Sequence, residues 1–187
     1  LGSGDTNTIS GAYASRNFIG TGRLNDICTE YDTNIILNGK ENTISGYSGF
    51  NTIVNGSGSV IHDGNWNFIG AGVCNSATPG DYTPDDAFGA TIVNGVCNTG
   101  SGQYSFIGSG KQNHAASDYS IIVGGILNTA SAVCSFIGLL GGGCNNSITG
   151  ALAQLSTRSN DVIVGGSNNK ICGACNTNSN SILGRNF

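Results

Sequence analysis

The residues best suited to chemistry in this 187-residue chain gather in one segment, GVCNSATPGDYTPDDAFG at 72–89, which holds both prolines together with Asp81, Tyr82, Asp85 and Asp86. Three carboxylates on one loop are able to hold Ca²⁺, and the same segment reads equally as a solvated decoration, so no metal or cofactor is assigned. Trp66 is the foremost candidate to stack on a sugar ring, with Tyr13, Tyr47, Phe50 and Tyr82 beside it in type. A stripe of such rings also suits a seam between chains. His62 and His114 stand isolated in the sequence, outside any nucleophile motif. Cys172-Gly-Ala-Cys175 has metal-clip spacing, but zinc wants a second pair and only Cys134 and Cys144 lie near in sequence. Seven cysteines cannot all pair within one chain. Small core residues or disulfides are the alternatives, with Cys74/Cys97 and Cys134/Cys144 placed to stack at equivalent turns one coil apart.

Other chemistries lack a seat. A glycosidase needs two carboxylates flanking a cleft, whereas the acidic residues number 11 and recur at no common position outside the 72–89 segment. GLLGGG at 138–143 lacks the Lys-Ser/Thr of a phosphate loop. Ice binding wants outward Thr ladders, and Thr8, Thr43 and Thr129 look scattered. A net charge of −4 without a basic cluster excludes a nucleic-acid or anionic-lipid footprint, and no stretch of about 18 apolar residues spans a membrane.

The elements that position these residues follow from a repeat. Glycine is 31 of 187 residues and charged residues are 10%, a composition that spends the backbone on turns and disfavours helix. A phrase recurs as NFIG (17–20), NIIL (34–37), NTIV (51–54), NFIG (67–70), TIVNG (91–95), SFIG (105–108), SIIVGG (120–125), SFIG (135–138), DVIVGG (161–166) and SILG (181–184). Its central residue steps by 17, 17 and 16 from Ile19 to Ile69, and by 15 from Ile92 through Ile107 and Ile122 to Ile137. A weaker phrase alternates with it, as in NTISG (7–11 and 42–46), NDIC (25–28), SVIH (59–62), NTASA (128–132), NSITG (146–150) and NKICG (169–173). Each coil therefore carries two short strands, and the period predicts an all-β parallel β-solenoid or β-roll of about ten 15–17-residue coils. One module spans 1–187, with loop insertions at 72–89 and 151–160 where the period breaks.

Side chains alternate along a strand. The central Ile faces inward, and its neighbours pair as Phe18/Gly20, Ile35/Leu37, Thr52/Val54, Phe68/Gly70, Thr91/Val93, Phe106/Gly108, Ile121/Val123, Phe136/Gly138 and Val162/Val164. Large opposite glycine and medium opposite medium is the volume matching of a packed face, so this face too is expected to be covered. Lateral association of identical chains does so with Phe18, Phe68, Phe106, Ile121, Phe136 and Val162 at a trimer interface. The alternative is cover by the chain's own second strand.

The run YSFIGSGKQNHAASDYSIIVGGILNTASAVCSFIG at 104–138 resembles the SFIGGG…NTASG…YS repeats of phage and large-DNA-virus tail-fibre or surface-fibre proteins. It is similar, more distantly, to the heads of trimeric autotransporter adhesins. The resemblance implies a homotrimer of β-rolls on a virion or cell surface, partnered by host-surface glycan or receptor and by other virion or fibre proteins. It implies no catalysis. The seven cysteines and the longer early period depart from those repeats, and a terminus cut by a self-cleaving chaperone would suit the stop at Phe187. The alternatives are an inert shaft or capsid-decorating module and, behind it, a polysaccharide-cleaving solenoid.

Overall fold

The computed structural model describes residues 2–11, 16–31, 33–47, 49–79, 88–131, 135–151, 159–174 and 181–184, with backbone alone for 135–140, 150, 151, 159, 160, 173 and 174. Every regular element among them is a β-strand, and the strands form two ten-stranded parallel sheets, a β-solenoid. The strong phrase makes the major sheet, from Phe18–Ile19 through Ile35–Lys40, Thr52–Ser57 and Phe68–Val73 to Ser181–Ile182. The weak phrase makes the minor sheet, from Thr8–Ser10 through Asp26–Thr29 and Thr43–Gly46 to Lys170–Ala174.

One residue per strand points into the space between the sheets. Ile19, Ile36, Ile53, Ile69, Ile92, Ile107 and Ile122 of the major sheet and Ile27, Ile44, Ile61 and Ile148 of the minor sheet are fully buried there. Coil length sets how much this lumen holds. Where the minor sheet steps by 15 residues, from Gly100 to Ala115 to Ala130, its inward residue shrinks from Ile to Gly or Ala. At Gly100 an added Cβ would stand 2.9 Å from Ala90 Cβ, so the tighter coil has no room for a larger side chain.

The two turns of a coil behave differently. From the inward major residue to the polar residue just before the next minor strand the chain takes six residues in every described coil, as in Ile19 to Asn25, Ile92 to Asn98 and Ile163 to Asn169. The reason is a column of buried asparagines at that corner. The Asn75 Oδ1 accepts the Asn98 N–H at 3.0 Å, the Asn98 Oδ1 accepts that of Asn113 at 3.0 Å, and the series continues through Asn128, Asn146 and Asn169. From Asn75 to Asn146 each amide nitrogen donates to a glycine carbonyl of the next coil, for example Asn98 to Gly110 at 3.1 Å. The glycine is required: Gly95 has φ +120°, and an added Cβ would collide with the Asn98 Nδ2 and the Gly110 carbonyl. All the variation falls on the opposite turn, which takes 7 residues from Ala115 to Ile122 and 15 from Ala77 to Ile92 or from Ile148 to Ile163.

This constant spacing also corrects the expected register at 135–138. Ile121 pairs with Leu139 and Ile122 with Leu140, which pairs in turn with Ile163. Leu140 lies six residues before Asn146 whereas Ile137 lies nine before it. The corner therefore selects the later phrase, and the step is 18 residues rather than 15.

Candidate functional site

The outward face of the major sheet carries two rows. The first pairs Phe18 with Ile35, Ile35 with Thr52, Thr52 with Phe68, and continues through Thr91, Phe106, Ile121, Leu139 and Val162. Phe68, Phe106, Ile121 and Val162 are half-buried and Phe18 is exposed. In the second row Leu37, Val93, Val123 and Val164 are 43–54% exposed. The place expected for Phe136 belongs to Leu139, three residues on, and the Phe136 side chain lies outside the described residues. The matching of Phe with Gly has a local cause. A Cβ on Gly20 would stand 3.2 Å from Phe18 Cε1 and one on Gly70 would stand 3.2 Å from Phe68 Cε1, so each ring lies across the glycine two residues along its own strand. The matching therefore does not by itself demand a cover. The minor sheet packs on the other side, so the chain's own second strand does not supply one.

The outward face of the minor sheet is made of hydroxyls. Thr8, Thr43, Ser76, Thr99, Thr129 and Ser147 share one row, interrupted by Asp26, Val60 and His114. Thr8, Thr43, Thr99 and Thr129 thus share a row, but no two of them sit on neighbouring coils, so no continuous Thr ladder forms, in keeping with the sequence reading. Ser10, Cys28, Ser45 and His62 form the start of the parallel row.

Asp26 is the misfit. Its Oδ1 is buried without a hydrogen-bond partner, and burial raises its carboxyl above the ordinary value of 3.8. A carboxyl raised on folding favours the folded state while protonated and loses that contribution as pH climbs above 3.8. Asp26→Thr, which continues the row of Thr8 and Thr43, is expected to stabilise the chain at pH 7 by about 0.5–1 kcal/mol on β-propensity and burial grounds. Urea midpoints should show this gain shrinking below pH 3.8; an equal gain at both pH values would contradict it.

The register brings His62 against a serine. The Ser45 Oγ lies 2.9 Å from His62 Nδ1, and His62 Nε2 lies 3.2 Å from the Asp63 carboxylate. These are the groups of an acyl-transfer relay, but His62 is 55% exposed and the neighbouring N–H groups are already used. Tyr47 donates to the Asp63 Oδ1 and Asp63 to the Ser45 carbonyl, so neither of these two N–H groups is open to an oxyanion. The arrangement is a surface hydrogen-bond chain. His114 makes a similar contact with Ser101 at 3.0 Å, and burial lowers its imidazole below the ordinary value.

At the variable corner aromatic rings stack along the axis. Phe50 and Trp66 lie 4.4 Å apart at 5°, Phe88 and Tyr104 5.2 Å apart at 15°, and Tyr104 and Tyr119 5.0 Å apart at 14°. Phe50, Trp66, Tyr104 and Tyr119 hold φ between 53° and 65°, a region bulky residues rarely adopt. Stacking offsets that strain. Trp66 is 58% exposed, as its candidacy requires, but Phe50 covers one face of its indole. Of the 72–89 segment, residues 72–79 and Phe88–Gly89 are described, and Phe88 bridges to Asn65 beside Trp66. Asp81, Tyr82, Asp85, Asp86 and Tyr13 lie outside the described residues, as do Cys134, Cys175 and the middle of the 151–160 insertion. Sequence reasoning offered a stripe of rings with Phe50 and Trp66 but not the stacking of Phe88, Tyr104 and Tyr119, which exists only once the coil register is fixed. No protein-family model matches the chain, and no curated protein matches it.

Proposed function

We propose that the chain is a module of a homotrimeric attachment fibre. Three solenoids of about ten coils each pack side by side along their apolar rows on a virion or cell surface. They hold a host-surface glycan or receptor through repeated weak contacts. The half-exposed apolar strip outside the major sheet carries this reading. Strands about 4.8 Å apart make a ten-strand strip about 43 Å long. At two residues wide it covers on the order of 400 Å², a size at which contiguous apolar surface marks an interaction site. Three such strips closing on a common axis leave water together, and the fibre resemblance supplies the number three. The hydroxyl face, the aromatic corner and the 72–89 segment then remain outside for ligand and for other fibre proteins. No cofactor and no catalysis are assigned.

Sedimentation of the full chain is expected to give the mass of three chains, and a glycan array probed with the same sample is expected to reveal a bound sugar. The mass of one chain would overturn the trimer. The uniform stacking of the coils favours a second reading, an inert shaft or capsid-decorating module. Deleting residues 80–87 separates the two. A deletion of 76–88 would also remove the Ser76–Ala77 strand and disturb the sheet. Loss of glycan binding places the site on the loop, and a blank array with the intact trimer supports the shaft. A reducing-end assay with the arrayed polysaccharides is expected to show no turnover.

A further inference from the structure

The described cysteines stand in different company. Cys28 is paired with Ser10 and Ser45, Cys144 with Ile126 and Ser167, and Cys172 with Thr149. Cys74 and Cys97 alone among the described cysteines occupy the same place on consecutive coils. Val73 and Val96, the residues before them, pair in parallel, and the Cys97 N–H donates to the Val73 carbonyl at 2.8 Å. Both backbones have φ 53°, so both side chains leave the constant corner in the same direction, and both are exposed. Parallel neighbours lie about 4.8 Å apart, inside the Cα range a disulfide accepts. Cys74 is pushed above the ordinary thiol range by desolvation first and by the neighbouring Cys97 next. On its other side Cys74 Sγ faces Gly58, where an added Cβ would stand 3.7 Å away, so no side chain of that residue blocks approach.

We propose that Cys74 and Cys97 form an intrachain disulfide that closes the coil carrying the 80–87 insertion into a covalent ring. The oxidant is a small-molecule disulfide. One cysteine thiolate attacks a sulfur of oxidised glutathione and expels one glutathione thiolate. The other cysteine thiolate then attacks the protein-side sulfur of the mixed disulfide and expels the second. The two cysteines lose two electrons and two protons, and the oxidant leaves as two reduced glutathiones.

The reduced full-length chain, incubated with oxidised glutathione, quenched with acid, alkylated and peptide-mapped, tests this. A Cys74–Cys97 cross-link is expected in at least about tenfold excess over any other cysteine pair, from proximity alone. Cys28, Cys144 and Cys172 are expected to carry the alkyl group or a single glutathione. Cys97→Ser is expected to stop Cys74 at the mixed disulfide. In urea the preference should vanish, because the fold and not the sequence brings the two together. Native protein in which Cys74 and Cys97 both end as stable glutathione adducts, or alkylate as fully as Cys28, overturns the proposal. A preference that persists unchanged in urea overturns it as well.

Discussion

Asn98→Ala is expected to lower the stability of the fold by about 2–4 kcal/mol, out of proportion to the few atoms removed. The Asn98 Oδ1 accepts the Asn113 N–H at 3.0 Å and its Nδ2 at 3.2 Å. The Asn98 Nδ2 donates to the Asn94 and Gly110 carbonyls at 3.3 and 3.1 Å. The residue is fully buried. Truncation orphans the Asn113 N–H in a place water does not reach, and it unties two coils at the corner that fixes their register. The exposed Asn145→Ala, which loses one surface contact to Asn168, is expected to change stability by less than about 1 kcal/mol. Urea midpoints with unchanged slope measure both. An Asn98→Ala midpoint within error of the parent would mean that the column follows the coil rather than holding it.

The second large effect separates two adjacent residues. Ile121 and Ile122 share one strand, but Ile122 is fully buried between the sheets and Ile121 faces outward, half-buried. In the proposed trimer, Ile121→Asp is expected to weaken association at least about 100-fold, because it would set like charges near the common axis and strip apolar contact from the seam. The product should sediment as one folded chain with its β-sheet circular dichroism retained. Ile122→Asp, which buries a carboxylate in the lumen, is expected to abolish folding. If Ile121→Asp leaves the assembled mass unchanged, the seam lies elsewhere.

Most of the architecture was legible because isoleucine marks the inward position of nearly every major strand. The minor strands Ser76–Ala77, Thr99–Gly100 and His114–Ala115 escaped the weak phrase, since the 15- and 16-residue steps leave no space for isoleucine there. Asn75, Asn98 and Asn113 marked them all along, one residue before each strand. Phe136 was placed in the outer row on a phrase that occurs twice within eight residues, SFIG and then LLGG. Only the fixed spacing to Asn146 decides between them. His62 looked isolated because its partner Ser45 stands 17 residues away, which is one rung in space. The candidate ligand residues of the 72–89 segment depend least on the repeat, and the coil pattern says correspondingly little about them.

The two edges of each coil divide their labour. With spacing held on one edge by stacked amides, the other is free to gain or lose residues while every rung stays in step. Such a molecule works as a graduated ruler with attachment points along a single margin. A foreign peptide spliced into 80–87 should therefore be displayed at a fixed height on the shaft, with rungs above and below it undisturbed.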